Sequence, residues 1–267
     1  VWGGRRDLLM AADVGNTQTV VGLFDGEELR GRWRLATEAH RTADELAVVF
    51  TGMLNLRGFG LGEVEALISS SVVPGLTRSY KNLAEEILGV PFYTVTSRMK
   101  TGIDNRYDDP ESVGADRIVN AVATGHYYGF PAIIVDIGTA TTVEAVNADG
   151  CYLGGAILTG LNVALDALVS HTAKLPSVDL EDDPPRAIAT NTPDSIRSGF
   201  IYGYAGAIDA LIRRFRAELG ELGPTSDLRV VATGGPAPTI VRHCREIEDL
   251  DLDLTLKGLC VLYEMNV

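Results

Sequence analysis

The chain has 267 residues, of which 46% are hydrophobic and 22% charged, with a net charge of −13. That length suits one large domain or two ordinary ones with cores of their own, and the acidic balance disfavours nucleic acid and anionic membrane surfaces as partners. No apolar run reaches the roughly 18 residues of a membrane span, and the scattered Cys151, Cys244 and Cys260 and His40, His126, His171 and His243 lack CxxC or zinc-ligand spacing, so reduced thiols and a cytoplasmic location are expected.

The basic start Val1-Trp2-Gly3-Gly4-Arg5-Arg6 has no apolar signal core before Asp13 and is set aside. Strands are predicted over 8–14, 19–24 and 28–35, with an Asp25-Gly26 turn between the last two. A helix over 43–56 has Thr42 as its cap, Glu45 three residues on, and Leu46, Val49, Phe50 and Met53 on one face. A strand over 64–73 ends at Pro74, a helix covers 76–88, and a short strand follows at 92–95. The polar segment 107–117 runs into an amphipathic helix over 115–128. Strands then recur at 132–136, 141–146 and 151–158, the last two joined by an Asn147-Ala148-Asp149-Gly150 turn. Helices are predicted over 161–169 and 193–219, with an exposed loop at Pro184-Pro185. A strand at 229–232 leads into Thr233-Gly234-Gly235-Pro236, and a final helix covers 255–264. Three strands followed by helices thus occur twice, which predicts two related domains, residues 8–117 and 118–267.

The chemistry concentrates in two loops of one kind. Asp13-Val14-Gly15-Asn16-Thr17-Gln18-Thr19 and Asp136-Ile137-Gly138-Thr139-Ala140-Thr141-Thr142 each follow an apolar strand and lead into another. A glycine lets backbone N–H groups approach a phosphate, Asn and Thr add donors, and the strand-end Asp can hold a cation. Facing one another, two such loops would grip a nucleotide's phosphates in a cleft between two domains. There is no GxxxxGK[ST] loop, no HRD or DFG element, and no GxGxxG opening a helix after the first strand. The doubled loops with Thr233-Gly234-Gly235 after a strand form the pattern of actin-like ATPases and sugar kinases, and predict an α/β fold of two ribonuclease-H-like halves.

The sequence resembles the type III pantothenate kinases over residues 8–266. Its most specific piece is Tyr107-x-x-Pro110-x-x-x-Gly114-Ala115-Asp116-Arg117, accompanied by Asp13-Val14-Gly15-Asn16-Thr17, Ser70-Ser71-Val72-Val73-Pro74, Gly154-Gly155-Ala156-Ile157, Asn191-Thr192 and Leu254-Thr255-Leu256-Lys257-Gly258-Leu259. The resemblance implies ATP-dependent phosphorylation of pantothenate to 4′-phosphopantothenate, the first step of coenzyme A synthesis. It makes Asp116 the base at the pantothenate hydroxyl, with Arg117 holding the acid's polar end. Tyr107, Gly114, Ala115 and Thr192 become further substrate contacts, with a helix N-cap as the plainer role of Thr192. Asp13, Val14, Gly15, Asn16, Thr17, Gln18, Thr19 and Val20 would cradle the ATP phosphates, Asp13 would hold Mg²⁺, and Thr139 would reach the phosphates as well. Asp136 becomes the ligand of a monovalent cation, K⁺ or NH₄⁺. The family also implies a homodimer whose interface completes the pantothenate site, with Thr192 serving the partner.

Three places, four residues in all, depart from the family pattern. Glu144 stands where Asp is usual, Thr159 where Pro is usual, and Ala189-Thr190 where Gly-Lys is usual. None is Asp13, Asp116 or Asp136, so the departures bear on cation affinity and turnover more than on reaction type. Two alternatives stay open: a kinase of this fold for another small hydroxylated substrate, and a non-catalytic accessory factor in transcription.

Overall fold

The computed structural model of the protein describes residues 8–184 and 186–267. The basic start and Pro185 of the expected exposed loop lie outside the described residues. The chain divides into two compact units, one of residues 8–102, Asp109–His126 and Asp253–Val267, the other of Ile103–Asp108 and Tyr127–Leu252.

In the first unit, β1 (Leu8–Val14), β2 (Gln18–Asp25) and β3 (Glu28–Ala36) form an antiparallel meander. β4 (Val64–Ser71) lies parallel to β1, and β5 (Phe92–Thr94) parallel to β4, giving the order β3-β2-β1-β4-β5. The Asp25-Gly26 turn forms as predicted, with Gly26 at φ 58°, where a side chain would be strained. One sheet face carries Leu8, Met10, Ala12 and Val14 against Leu46, Phe50 and Leu54 of α1 (Ala43–Asn55) and Leu76 and Tyr80 of α2 (Pro74–Asn82). Burying side chains of this size contributes roughly 1.5–3 kcal/mol each. The α1 cap matches expectation: the Glu45 N–H donates to Thr42 Oγ1 at 3.3 Å and the Thr42 N–H to Glu45 Oε2 at 2.8 Å. β4 stops at Ser71, short of the expected 73, because the Val73 N–H turns to donate to Ser71 Oγ at 3.2 Å and Pro74 opens α2. The expected 76–88 helix is α2 followed by a wider π-type turn over Leu83–Leu88, ended by Gly89 at φ 68°.

The second unit repeats the plan. β7 (Ala132–Ile137), β8 (Ala140–Val146) and β9 (Cys151–Thr159) form the meander, and β10 (Arg229–Thr233) pairs parallel to β7. The short strands β6 (Asp104–Asn105) and β11 (Asp249–Leu250), not anticipated from sequence, extend it to β11-β10-β7-β8-β9-β6. Ile133, Val135 and Ile137 pack against α4 (Leu161–Ser170), α5 (Thr192–Leu222) and α6 (Ala237–Val241).

The units differ from the contiguous halves 8–117 and 118–267. The last helix, α7 (Leu254–Asn266), returns to the first unit, as does most of α3 (Ala115–Tyr127). The reason is packing. Leu256 occupies space left open by Gly22, and Gly258 brings α7 against the Val119 carbonyl of α3, where a Cβ would sit 2.3 Å from that oxygen. Thr255 Oγ1 also donates to Asn120 Oδ1 at 2.7 Å. Among the described residues, no helix is long and apolar enough to cross a membrane.

Candidate active site

Each unit carries predicted site residues of its own, an Asp-x-Gly turn among them at the carboxyl end of a central strand, where ligands of α/β sheets bind. In the first unit, Asp13 lies at the end of β1, in register with Val20 of β2 and Ser70 of β4. The turn after it is tight: the Gly15 N–H donates to the Gln18 carbonyl at 3.1 Å, and a Cβ on Gly15 would sit 3.0 Å from that oxygen. Asn16, Thr17 and Gln18 are exposed, while Thr19 is buried. Thr37, just past β3, braces the turn from outside, with its Oγ1 donating to the Gly15 carbonyl at 2.8 Å and its N–H to the Thr17 carbonyl at 2.9 Å.

Asp116 and Arg117 stand in the first turn of α3, both half-buried. The Arg117 N–H donates to Asp116 Oδ1 at 2.9 Å and to the Gly114 carbonyl at 3.1 Å. A Cβ on Gly114 would lie 2.5 Å from Asp116 Oδ1, so the glycine gives that carboxylate its room. Asp116 thus sits in the first turn of a helix, where an acidic side chain complements the helix dipole. The preceding loop is a single 3₁₀ turn over Pro110–Ser112, capped by Asp109, whose Oδ1 accepts from the Glu111 N–H at 3.3 Å.

In the second unit, Asp136 of β7 is in register with Thr142 of β8 and Thr233 of β10. The loop after it packs tightly. The Gly138 N–H donates to the Ala140 carbonyl and the Gly160 N–H to the Thr139 carbonyl, both at 3.0 Å. Gly234, at φ 101°, lies so close that a Cβ would sit 2.2 Å from the Ile137 carbonyl. Tyr204 of α5 donates its hydroxyl to Thr141 Oγ1 at 2.9 Å and also contacts the Thr159 carbonyl. Burial raises the Tyr204 pKa and so keeps it a donor. Thr139 itself is exposed.

Tyr107 also belongs to the second unit, just past β6, with its ring against Gly154 and 6.4 Å from the Tyr152 ring. Thr192 is the first residue of α5 and not its cap. Asn191 takes that role, accepting from the Asp194 N–H at 2.9 Å, because its extended backbone turns the side-chain amide oxygen onto the free N–H groups of the first turn. Thr192 lines a groove of about 450 Å³ with Leu168, Leu175, Gly199, Phe200 and Gly203.

The donor set suits a nucleotide-bound divalent ion better than a protein-caged one. No group of three or more His, Cys, Asp or Glu poised to hold a metal occurs among the described residues. Asp13 is instead flanked, in register, by Ser70, whose hydroxyl is buried and has no hydrogen-bond partner among the described residues. One carboxylate and a spare hydroxyl fit Mg²⁺, which keeps several waters and takes its other ligands from phosphates. Thr37, Ser70 and Tyr204 had no assigned role in the sequence reading, since nothing local marks a hydroxyl as the brace of a distant turn.

Twice the same sheet order ends its first strand in an Asp-x-Gly turn, and this defines an actin-like α/β fold. Solved structures share it at low identity. A conserved protein from Campylobacter jejuni, provisionally described as a Baf family transcriptional activator, aligns with a TM-score of 0.59 at 17% identity over 96% of this chain and 97% of its own. The ethanolamine utilization protein EutJ of Carboxydothermus hydrogenoformans aligns with a TM-score of 0.52 at 14% identity over 95% of this chain and 89% of its own. The chain belongs to the type III pantothenate kinase family, whose model matches residues 9–214. It is 65% identical over 259 residues, 97% of this chain and 98% of the relative, to the type III pantothenate kinase of Rubrobacter xylanophilus. To that of Thermomicrobium roseum it is 46% identical over 257 residues, 96% of this chain and 97% of the relative. A kinase of this family uses ATP and a divalent metal ion.

Proposed function

We propose that the protein transfers the γ-phosphoryl group of ATP to pantothenate, forming 4′-phosphopantothenate in the first step of coenzyme A biosynthesis. The carrying observation is the 65% identity, over nearly the whole of both chains, to a type III pantothenate kinase. The half-buried Asp116 at the start of α3, beside Arg117, supports it. Asp116 accepts the proton of the pantothenate hydroxyl and orients that oxygen in line with the phosphoryl group, while Arg117 pairs with the pantothenate carboxylate. Tyr107, Gly114 and Ala115 complete the substrate contacts, and Thr192 serves the second copy of a homodimer.

Asp13, Val14, Gly15, Asn16, Thr17, Gln18, Thr19 and Val20 bind the ATP phosphates, together with Thr139. Mg²⁺, held near Asp13, neutralises phosphate charge when bound. Asp136, with Thr142 and Thr233 beside it in register, holds a monovalent cation, K⁺ or NH₄⁺, which offsets the repulsion between that carboxylate and the phosphates. The net charge of −13 supports a small-molecule role without nucleic acid, and the three free cysteines support a place in the cytoplasm.

The test is ADP release from Mg·ATP with and without pantothenate, in K⁺ and again in Na⁺, beside Asp116→Asn. Pantothenate-dependent turnover that requires K⁺ and falls by a factor of 10² or more in the variant is expected. A folded wild-type protein with no pantothenate-dependent turnover in either salt overturns the reading.

A further inference from the structure

Glu144 is a carboxylate only 1% exposed, in the middle of a sheet. It stands on β8 in register with Ile134 of β7 and Gly155 of β9, on the sheet face that also carries Asp136 and Thr142. Buried carboxylates require hydrogen-bond partners. One partner of Glu144 is the hydroxyl of Tyr152, which donates to Oε2, and Tyr152 is itself 0% exposed. Position 155 has no side chain and so leaves the carboxylate room: a Cβ there would lie 2.7 Å from Glu144 Oε2, and 2.1 Å from the Val143 carbonyl.

Tyr152 in turn forms part of the seat of Tyr107. The two rings lie 6.4 Å apart and tilted by 48°. The Tyr107 ring covers Gly154, where a Cβ would be 3.1 Å from its Cδ2 and Cε2 atoms. The Arg106 N–H donates to the Tyr152 carbonyl at 2.9 Å, so the backbone before Tyr107 is anchored to the same residue. From buried carboxylate to half-buried aromatic, the chain of contacts runs Glu144, Tyr152, Tyr107.

We propose that Glu144 and Tyr152 are positioning residues for Tyr107. They fix the tilt of its ring and thereby set the affinity for the hydroxy-acid substrate, without touching that substrate. This rests on the pantothenate-kinase reading, in which Tyr107 is a wall of the acid's site. The extra methylene of Glu144 over Asp is what carries the carboxylate across the Gly155 gap to the Tyr152 hydroxyl.

The experiment is steady-state kinetics of Tyr152→Phe, Glu144→Leu and Glu144→Gln, each alone and with Tyr107→Ala, on protein whose far-UV circular dichroism and melting temperature are recorded. Tyr152→Phe keeps the ring and deletes only the hydroxyl. It and Glu144→Leu should raise KM for pantothenate about five- to tenfold, leaving KM for ATP within twofold. Glu144→Gln, which keeps an acceptor for the Tyr152 hydroxyl, should restore most of the affinity. In the Tyr107→Ala background, Tyr152→Phe should have no further effect on pantothenate KM, because the group it positions is gone. An unchanged pantothenate KM in folded Tyr152→Phe, or an equal effect with and without Tyr107, overturns the proposal while leaving the reaction intact. Wild-type protein inactive toward pantothenate overturns the underlying reading, and this proposal with it.

Discussion

Thr37 holds the first Asp-x-Gly turn shut by donating its Oγ1 to the Gly15 carbonyl at 2.8 Å. With that proton committed, the contact of 2.9 Å between Thr37 Oγ1 and Thr19 Oγ1 has Thr19 as donor. Two residues on either side of the turn are thus tied to one hydroxyl. Thr37→Val keeps the shape and removes both bonds. The cost should be about 1–2 kcal/mol, read as a lower urea midpoint at unchanged slope. KM for ATP should rise severalfold while that for pantothenate holds, and equal ATP affinity would show that the turn keeps its form without the brace.

Gly160 carries a comparable constraint in the second unit for a different reason. Its φ of −63° suits any residue, so backbone strain is not at stake. A Cβ there would lie 2.2 Å from the Thr139 carbonyl and 2.3 Å from that of Gly138. Gly160→Ala must push the loop holding Thr139 away, at about 1–3 kcal/mol of stability. Pantothenate turnover should fall at least tenfold at fixed ATP and recover in part at high ATP. A variant with wild-type kinetics would remove Thr139 from the phosphate site.

Gly203 on α5 offers a test of the proposed homodimer. It lines the groove of about 450 Å³ with Thr192, and a Cβ on it would meet nothing within 4 Å. In an isolated protomer Gly203→Arg therefore removes a flexible residue from a helix, a gain of up to about 1 kcal/mol. In a homodimer packed on this face it blocks the partner. Light scattering after gel filtration should show a dimer for the wild type and a folded monomer for the variant, with pantothenate turnover lost. A variant that remains dimeric would place the interface elsewhere.

Two thiols should make the fold sensitive to alkali. Burial pushes Cys244 and Cys260 up to about 12 from the ordinary 9.0. The fold thus favours the neutral thiols, and unfolding above pH 9 releases protons. Their stabilising effect is complete below pH 9 and is lost as pH rises from there towards about 12. Urea midpoints should fall between pH 8 and pH 10.5, and the Cys260→Ala variant, which also loses the Sγ–H donation to the Gly26 carbonyl at 3.3 Å, should fall less steeply over that range. A parallel fall in wild type and variant would assign the alkaline loss to other groups.

The main helices and strands could be read from sequence because their signals are local. Thr42 and Glu45 form the expected capping box, and Gly26 and Gly150, at φ 58° and 76°, close the two predicted hairpins. The Asp-x-Gly turns are visible for the same reason, since glycine, Asp and the hydroxyl residues lie within seven consecutive positions. Less legible was the seating of Tyr107. It depends on Gly154, Tyr152 and the two-residue strand β6, too short to show any periodicity.

Apolar runs and the spacing of turns determined, from the sequence alone, three consecutive strands in each half and one further strand beyond a helix; that this further strand lies parallel to the first was the structure's to show. Only the tertiary structure decided that α7 closes the first unit, that Asn191 and not Thr192 caps α5, and that Thr37 and Tyr204 brace the two loops. Strand period and turn chemistry act between neighbours in sequence. A helix finding the space beside Gly22 and Gly258, or a hydroxyl meeting a carbonyl 22 residues away, is selected by packing and by the need to satisfy buried polar groups, which no local pattern records.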